Sequence, residues 1–295
     1  MTINRREFVV SLAAGALACA RAPRVAAPPR LKFGYASITW GANDLVAIDE
    51  ISALGYPGIQ VRANTWSHFS RAPQVFQNLM LQKKLTFVAL SSGSVSINPD
   101  DEAQSVGERL VHAHFVRDAG GLFLQVTDEL PRGRAATPDD CQKLGALLNK
   151  IGAQTADLGV PLAYHPHMGT IGETPENLER ILAASDPKLV RLLLDVAHYQ
   201  QGGGDPAAAI RRHGKRLAFL HLKDVETKAD GSGYRFVELG RGRVDLPAVF
   251  AALADVGFAG WAIVELDGVT DAGRSARESA EISRRYLESR GFAVS

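Results

Sequence analysis

Short apolar runs alternate with longer amphipathic stretches from residue 31 onward. The runs predict parallel strands buried on both faces, and the stretches predict helices with one apolar side. Strands are expected over residues 31–39, 58–61, 85–90 and 122–126. Helices are expected over residues 45–54, 103–119 and 138–158, the last capped by Thr137. Four further runs follow, with helices expected near residues 175–184, 206–213, 246–256 and 276–290. Eight strands interleaved with seven helices on about 265 residues match the size of a (β/α)8 barrel. An open doubly wound sheet is the rival, but Ser37-Ile38-Thr39-Trp40-Gly41 is not a glycine-rich phosphate loop. The expected fold class is α/β, a single TIM barrel over residues 31–295.

The last four strands each end on a residue able to bind a metal. These ends are Leu162-Ala163-Tyr164-His165, Leu192-Leu193-Leu194-Asp195, Phe219-Leu220-His221 and Ile263-Val264-Glu265. In a parallel barrel the C-terminal strand ends meet at one mouth, so residues distant in sequence can surround one ion. Two imidazoles and two carboxylates suit a divalent ion such as manganese, cobalt, zinc or iron(II).

Neighbours of these four sharpen the picture. Pro166 cannot continue a ladder, so His165 and His167 both belong at the mouth. Asp195 alone reads as a helix cap, but His198 one turn later points to function. Alternation sends Lys223 to the same side as His221, where its charge needs a partner such as a substrate oxygen. Paired with Asp224, Lys223 is instead an ordinary solvated charge. Glu265 leaves an almost wholly apolar strand and needs a partner of its own. Arg241 and Arg243 fall on the loop before the last strand, either clamping a substrate oxygen or solvated in a turn.

Composition excludes some classes. A net charge of +1 gives no basic field for nucleic acid. Cys19 and Cys141 are the only cysteines, which rules out a disulfide framework. Arg5 and Arg6 precede a small, apolar stretch over residues 11–20, the pattern of a twin-arginine export signal. Residues 1–30 are therefore expected to be an export signal and disordered leader, and the mature protein periplasmic. The stretch is too short for a membrane span. Lipidation at Cys19 ranks below simple cleavage, because Ala16 and Leu17 reverse the usual order.

The segments Tyr164-His165-Pro166-His167-Met168-Gly169-Thr170, Asp195-Val196-Ala197-His198, His221-Leu222-Lys223-Asp224, Gly240-Arg241-Gly242 and Glu265-Leu266-Asp267 resemble the xylose isomerase-like TIM-barrel superfamily of sugar phosphate isomerases and epimerases. Within it the similarity is greatest to the inosose dehydratase branch. The resemblance spans about residues 31–290 and is specific from about residue 160. It implies one divalent metal held by His165, Asp195, His221 and Glu265, with a keto-sugar or polyol as substrate. Family members that epimerise or isomerise carry glutamate where this chain has His165, and two glutamates exchange the proton across the substrate. A ligating imidazole is a poor proton shuttle, so one-sided β-elimination is expected instead. Glu265, His198 and neutral Lys223 are then candidate bases, and His167 or Lys223 a candidate acid or enolate stabiliser. His167, His198, Lys223 and Arg241 are the expected substrate contacts.

Three alternatives stand beside this expectation. A metal-dependent isomerase or epimerase would find its second base outside the quartet. An abasic-site type endonuclease would want more acidic ligands than Gln60 and Gln125 supply at the second and fourth strand ends. A non-catalytic periplasmic sugar-binding protein would have no need of four ligand-type residues. A homo-oligomer is compatible with the sequence, which does not specify one.

Overall fold

The computed structural model describes residues 30–294. The expected export signal, with Arg5, Arg6 and Cys19, lies outside the described residues.

Each apolar run becomes a strand. β1 (Lys32–Ala36) passes through a 3-10 turn into α1 (Asp44–Ala53). β2 (Gly58–Arg62) is followed by α2 (Ala63–Phe69) and α3 (Pro73–Gln82), and β3 (Thr86–Val95) by α4 (Glu102–Asp118). β4 (Phe123–Asp128) leads to α5 (Pro138–Asp157), and β5 (Leu162–Tyr164) to α6 (Pro175–Ala183). β6 (Val190–Asp195) precedes α7 (Val196–Gln201) and α8 (Pro206–His213). β7 (Leu217–Leu222) runs into a hairpin of β8 (Asp224–Thr227) and β9 (Tyr234–Val237). Then come α9 (Leu246–Asp255), β10 (Trp261–Val264) and α10 (Ala276–Ser289).

Eight of these strands close a parallel barrel in the order β1-β10-β7-β6-β5-β4-β3-β2. The expected single (β/α)8 barrel is therefore the fold. A large apolar layer joins strands to helices, and a smaller cluster includes Ala89, Ala163, Leu193, Phe219, Trp261 and Ile263. Two glycines make room for it. A Cβ on Gly58 would stand 2.3 Å from the Trp261 ring, and one on Gly34 would stand 2.6 Å from Ile263. At the head of α5, Thr137 forms a capping box with Asp140, worth about 1 kcal/mol.

Four features depart from the sequence expectation. The first strand stops at Ala36 because residues 37–40 curl into the 3-10 turn. β3 runs on to Val95 through Ser91-Ser92-Gly93-Ser94, where an irregularity breaks its register with β4. α2, α3 and α7 are additional helices; α2 and α7, of seven and six residues, carry too few turns to show a period. The β8–β9 hairpin was not predicted either, and it places aromatic side chains over the barrel mouth. Among the described residues no helix is long and apolar enough to cross a membrane.

Candidate active site

β5, β6, β7 and β10 are consecutive neighbours in the barrel, so their C-terminal ends lie side by side. Asp195 is in register with His221, and Ile263 with His221 across the other edge. The backbone N–H of His165 donates to Val126 at 2.8 Å, and that of Glu265 to Leu222 at 3.0 Å. His165 and Glu265 thus stay tied to neighbouring strands one residue beyond their own. All four side chains are buried, and one ligand atom from each lies within 4.8 Å of the others.

The polar atoms inside this cluster are poorly satisfied by protein. His165 Nδ1, Asp195 Oδ2 and His221 Nδ1 are buried without a hydrogen-bond partner. His221 Nδ1 stands 3.3 Å from Glu265 and 3.6 Å from Asp195. An orphaned buried polar atom costs about 1–3 kcal/mol, and three of them converge here. A mixed nitrogen and oxygen donor set converging on one point fits a divalent transition metal. Asp195 also caps a helix: its Oδ1 accepts from the N–H groups of Ala197 and His198 at 2.8 and 2.9 Å. Its other oxygen faces the cluster, so the helix-cap and ligand readings of Asp195 describe its two oxygens.

A second layer surrounds the quartet. Lys223 is fully buried, and its ammonium donates to Glu265 at 2.9 Å, Asp267 at 2.6 Å and His198 Nε2 at 3.1 Å. Phe236 on β9 covers it, with the ammonium 4.5 Å from the ring centroid. The same ring meets His198 edge-on at 5.0 Å. His167 lies against His198, with ring centroids 3.8 Å apart and planes tilted by 44°. His167 Nδ1 lies 2.8 Å from the carbonyl oxygen of Met168. A carbonyl only accepts, so Nδ1 carries a proton, and in the neutral ring Nε2 keeps its lone pair. His165, His167 and His198 also present ring nitrogens close together.

Charge in the site follows from these contacts. Burial disfavours the ammonium of Lys223, but Glu265, Asp195 and Asp267 outweigh it and hold the pKa above the usual lysine value. The expectation of a neutral Lys223 acting as base is therefore corrected: it is a cation. Burial drives His198 down to about 3, with the Lys223 charge adding to the effect, so its imidazole is neutral. Its Nε2 lone pair is already engaged by Lys223, which weakens the case for His198 as base. Burial, followed by the His221 charge, holds His165 well below the usual histidine value. Burial also opposes the His221 imidazolium, yet Glu265 and then Asp195 push its pKa up to about 9. Burial opposes ionisation of Glu265 and Asp195 too, but neighbouring cations hold both well below the carboxylate range. For Asp195 the effective partners are Lys223 and His221, since His198 is neutral.

Two buried aspartates hold the loops. Asp128, at the end of β4, accepts from the Tyr164 hydroxyl at 2.8 Å and from the N–H groups of Ile171 and Gly172 at 2.7 and 3.3 Å. It thereby anchors both ends of the segment that carries His165 and His167. Asp224 accepts from the N–H groups of Val225, Gly240, Gly242 and Val244 at 2.9–3.1 Å. A Cβ on Gly242 would stand 2.2 Å from the Asp224 carboxylate, so the Gly-Arg-Gly turn is wrapped around it. Lys223 and Asp224 are thus not a solvated pair. Arg241 is half-exposed and faces Asp271 at 3.5 Å and Glu238 at 3.7 Å rather than the quartet. Arg243 bonds Gln201.

Sequence reasoning passed over Asp267, Phe236, Asp128 and the contact of Gln60 with His221. Asp267 was legible by the alternation that paired His221 with Lys223. Gln60 was legible as an amide inside the apolar run Gly58-Ile59-Gln60-Val61.

A family model described as xylose isomerase-like TIM barrel matches residues 48–286. The chain belongs to that family. Its curated relatives include the inosose dehydratase of Lacticaseibacillus casei, 25% identical over 88% of this chain and 96% of that one. The inosose dehydratase of Geobacillus thermodenitrificans is 26% identical over 81% and 90%. Among solved structures, an IolI protein with a binding zinc atom superposes with a TM-score of 0.77 at 17% identity, covering 89% of this chain and 100% of that one. The probable 3-DHS dehydratase AsbF from Bacillus anthracis gives 0.71 at 15% identity, over 88% and 99%. These two structures show the shared fold. As a member of the family, the protein is a metal-dependent enzyme of the lyase or isomerase kind.

Proposed function

We propose that this xylose isomerase-like enzyme is a lyase. It removes the proton next to the carbonyl of a keto-sugar or keto-polyol and expels an oxygen from the β carbon. The observation that carries this reading is the pair of histidines flanking Pro166: His165 stands in the metal-type cluster, and His167 offers one free, uncommitted lone pair beside it. Dehydratases among the relatives support the same reaction type.

A divalent ion held by His165, Asp195, His221 and Glu265 would supply Lewis acidity toward the substrate carbonyl. The protein's own groups do the rest. His167 Nε2 accepts the proton from the carbon next to the carbonyl. The Lys223 ammonium balances negative charge developing on the substrate oxygens. Asp267 is the partly exposed partner of Lys223, with 38% of its side chain accessible, so it is the contact a substrate oxygen can replace. His167, now an imidazolium, returns its proton to the departing oxygen. One C–H and one C–O bond break, a C=C bond forms, and water or an alcohol leaves. Phe236 shields Lys223 and His198 from solvent.

Combined with the twin-arginine pattern at Arg5 and Arg6, this chemistry points to an exported enzyme acting on 3-keto-glycosides, where loss of the C2 proton expels the C1 substituent. The decisive experiment is to incubate metal-loaded protein with a 3-keto-glucoside and with a keto-inositol. Appearance of a conjugated enone with release of the aglycone or water supports the proposal; neither substrate giving an enone refutes it. A mature protein still starting at Met1 would refute export alone.

A further inference from the structure

Gln60 on β2 is buried, and its Oε1 lies 2.9 Å from Nε2 of His221. Two strands, β1 and β10, separate β2 from β7 in the barrel, so the amide reaches across the mouth. The other ring nitrogen, Nδ1, has no hydrogen-bond partner and sits between Glu265 and Asp195.

We infer that Gln60 is a positioning residue of the metal centre, fixing the orientation and tautomer of His221 so that Nδ1 is its ligating atom. An amide oxygen can only accept, so it keeps a proton on Nε2; the proton that the imidazolium gives up to a metal is then the one on Nδ1, whose lone pair becomes the ligating one. The reversed amide would donate into Nε2 and force the proton onto Nδ1, and a protonated nitrogen cannot ligate. Only the first arrangement agrees with three donor groups converging on one point. A hydrogen bond to the remote nitrogen of a ligating histidine also raises its basicity and aligns the ring. Gln60 thus does for the metal what a carboxylate does in other sites, with a neutral group. That choice is physically consistent here, because Asp195, Glu265 and Asp267 already crowd the mouth with negative charge.

This inference rests on the metal reading of the quartet, and its test separates the two. Zinc affinity is measured by chelator competition on the full-length protein for wild type, Gln60→Leu and Gln60→Glu. Histidine nitrogen NMR of the zinc-loaded wild type reports which ring nitrogen is bound. The expected results are a protonated Nε2 on His221, about 10–100-fold weaker zinc binding in Gln60→Leu, and wild-type or tighter binding in Gln60→Glu. Rescue by the glutamate distinguishes a lost hydrogen bond from damaged packing. Unchanged affinity in Gln60→Leu, weakening of both variants alike, or Nε2 bound to zinc overturns the inference. If Gln60→Leu does not fold, the NMR result on wild type decides. Failure of wild type to bind zinc, cobalt or manganese would instead remove the metal reading itself.

Discussion

The ring of His167 donates from Nδ1 to the backbone carbonyl of Met168 at 2.8 Å, which makes Nε2 the nitrogen that bears the lone pair in the neutral ring. His198 packs against the same ring but has its Nε2 held by Lys223 at 3.1 Å. Of the two histidines that flank the quartet, only His167 has a ring nitrogen free to take a proton. His167→Gln keeps a polar group of similar length and removes the base. It should lower kcat by about 10²–10⁴-fold while zinc affinity stays at the wild-type value. Steady-state kinetics beside a chelator titration checks both halves, and a loss of affinity equal to the loss of rate would make His167 a ligand instead.

Lys223 is placed to oppose metal binding and to favour turnover. Its ammonium lies 2.9 Å from Glu265 and 3.6 Å from Asp195, so it competes with any cation for the same carboxylates. Lys223→Met should bind zinc at least as tightly as wild type. Turnover should fall about 10²–10³-fold, the usual cost of removing a preorganised charge stabiliser. Weaker metal binding in this variant would contradict the assigned role.

Asp128 fixes the segment on which both histidines sit. Asp128→Ala strips acceptors from the Tyr164 hydroxyl and from the N–H groups of Ile171 and Gly172. Unsatisfied buried donors cost about 1–3 kcal/mol each, partly recovered by water. A stability loss of about 2–4 kcal/mol is expected, read from denaturant midpoints. At a temperature where the variant is fully folded, kcat should still fall, because the segment bearing His167 is no longer anchored.

Much of this site was legible because barrel geometry turns strand ends into neighbours. His165, Asp195, His221 and Glu265 each closed an apolar run, and a polar residue there has few reasons to exist other than the mouth. Lys223 was located by strand alternation, but its charge state depended on Asp267 and Glu265, and burial among them is a tertiary fact. The tautomer of His167 and the partner of His221 depend on single hydrogen bonds that no periodicity encodes. Arg241 illustrates the opposite error source. A Gly-Arg-Gly loop looks built to present the arginine, whereas the glycines are there so that Asp224 can collect backbone N–H groups.

A second histidine controls stability rather than chemistry. His112 on α4 is buried, with Nδ1 2.6 Å from the Ser92 hydroxyl, and burial followed by the Arg109 charge lowers its pKa to about 4 from an ordinary 6.5. Between those values the unfolded chain binds the proton that the folded protein refuses. The contribution is therefore complete above about pH 6.5 and is lost as pH falls toward 4, by on the order of 1–3 kcal/mol. Denaturant unfolding in chelator at pH 7.5 and pH 5 should show a smaller drop for His112→Gln than for wild type. An identical drop in both would remove His112 as a cause.

Elimination and isomerisation diverge in one measurement. Metal-loaded enzyme is mixed with a 3-keto-glucoside in deuterated water and followed by proton NMR. A one-sided base at His167 predicts an enone product, with the aglycone released at the rate the C2 proton disappears. Accumulation of a deuterated epimer or isomer with the glycosidic bond intact would contradict it.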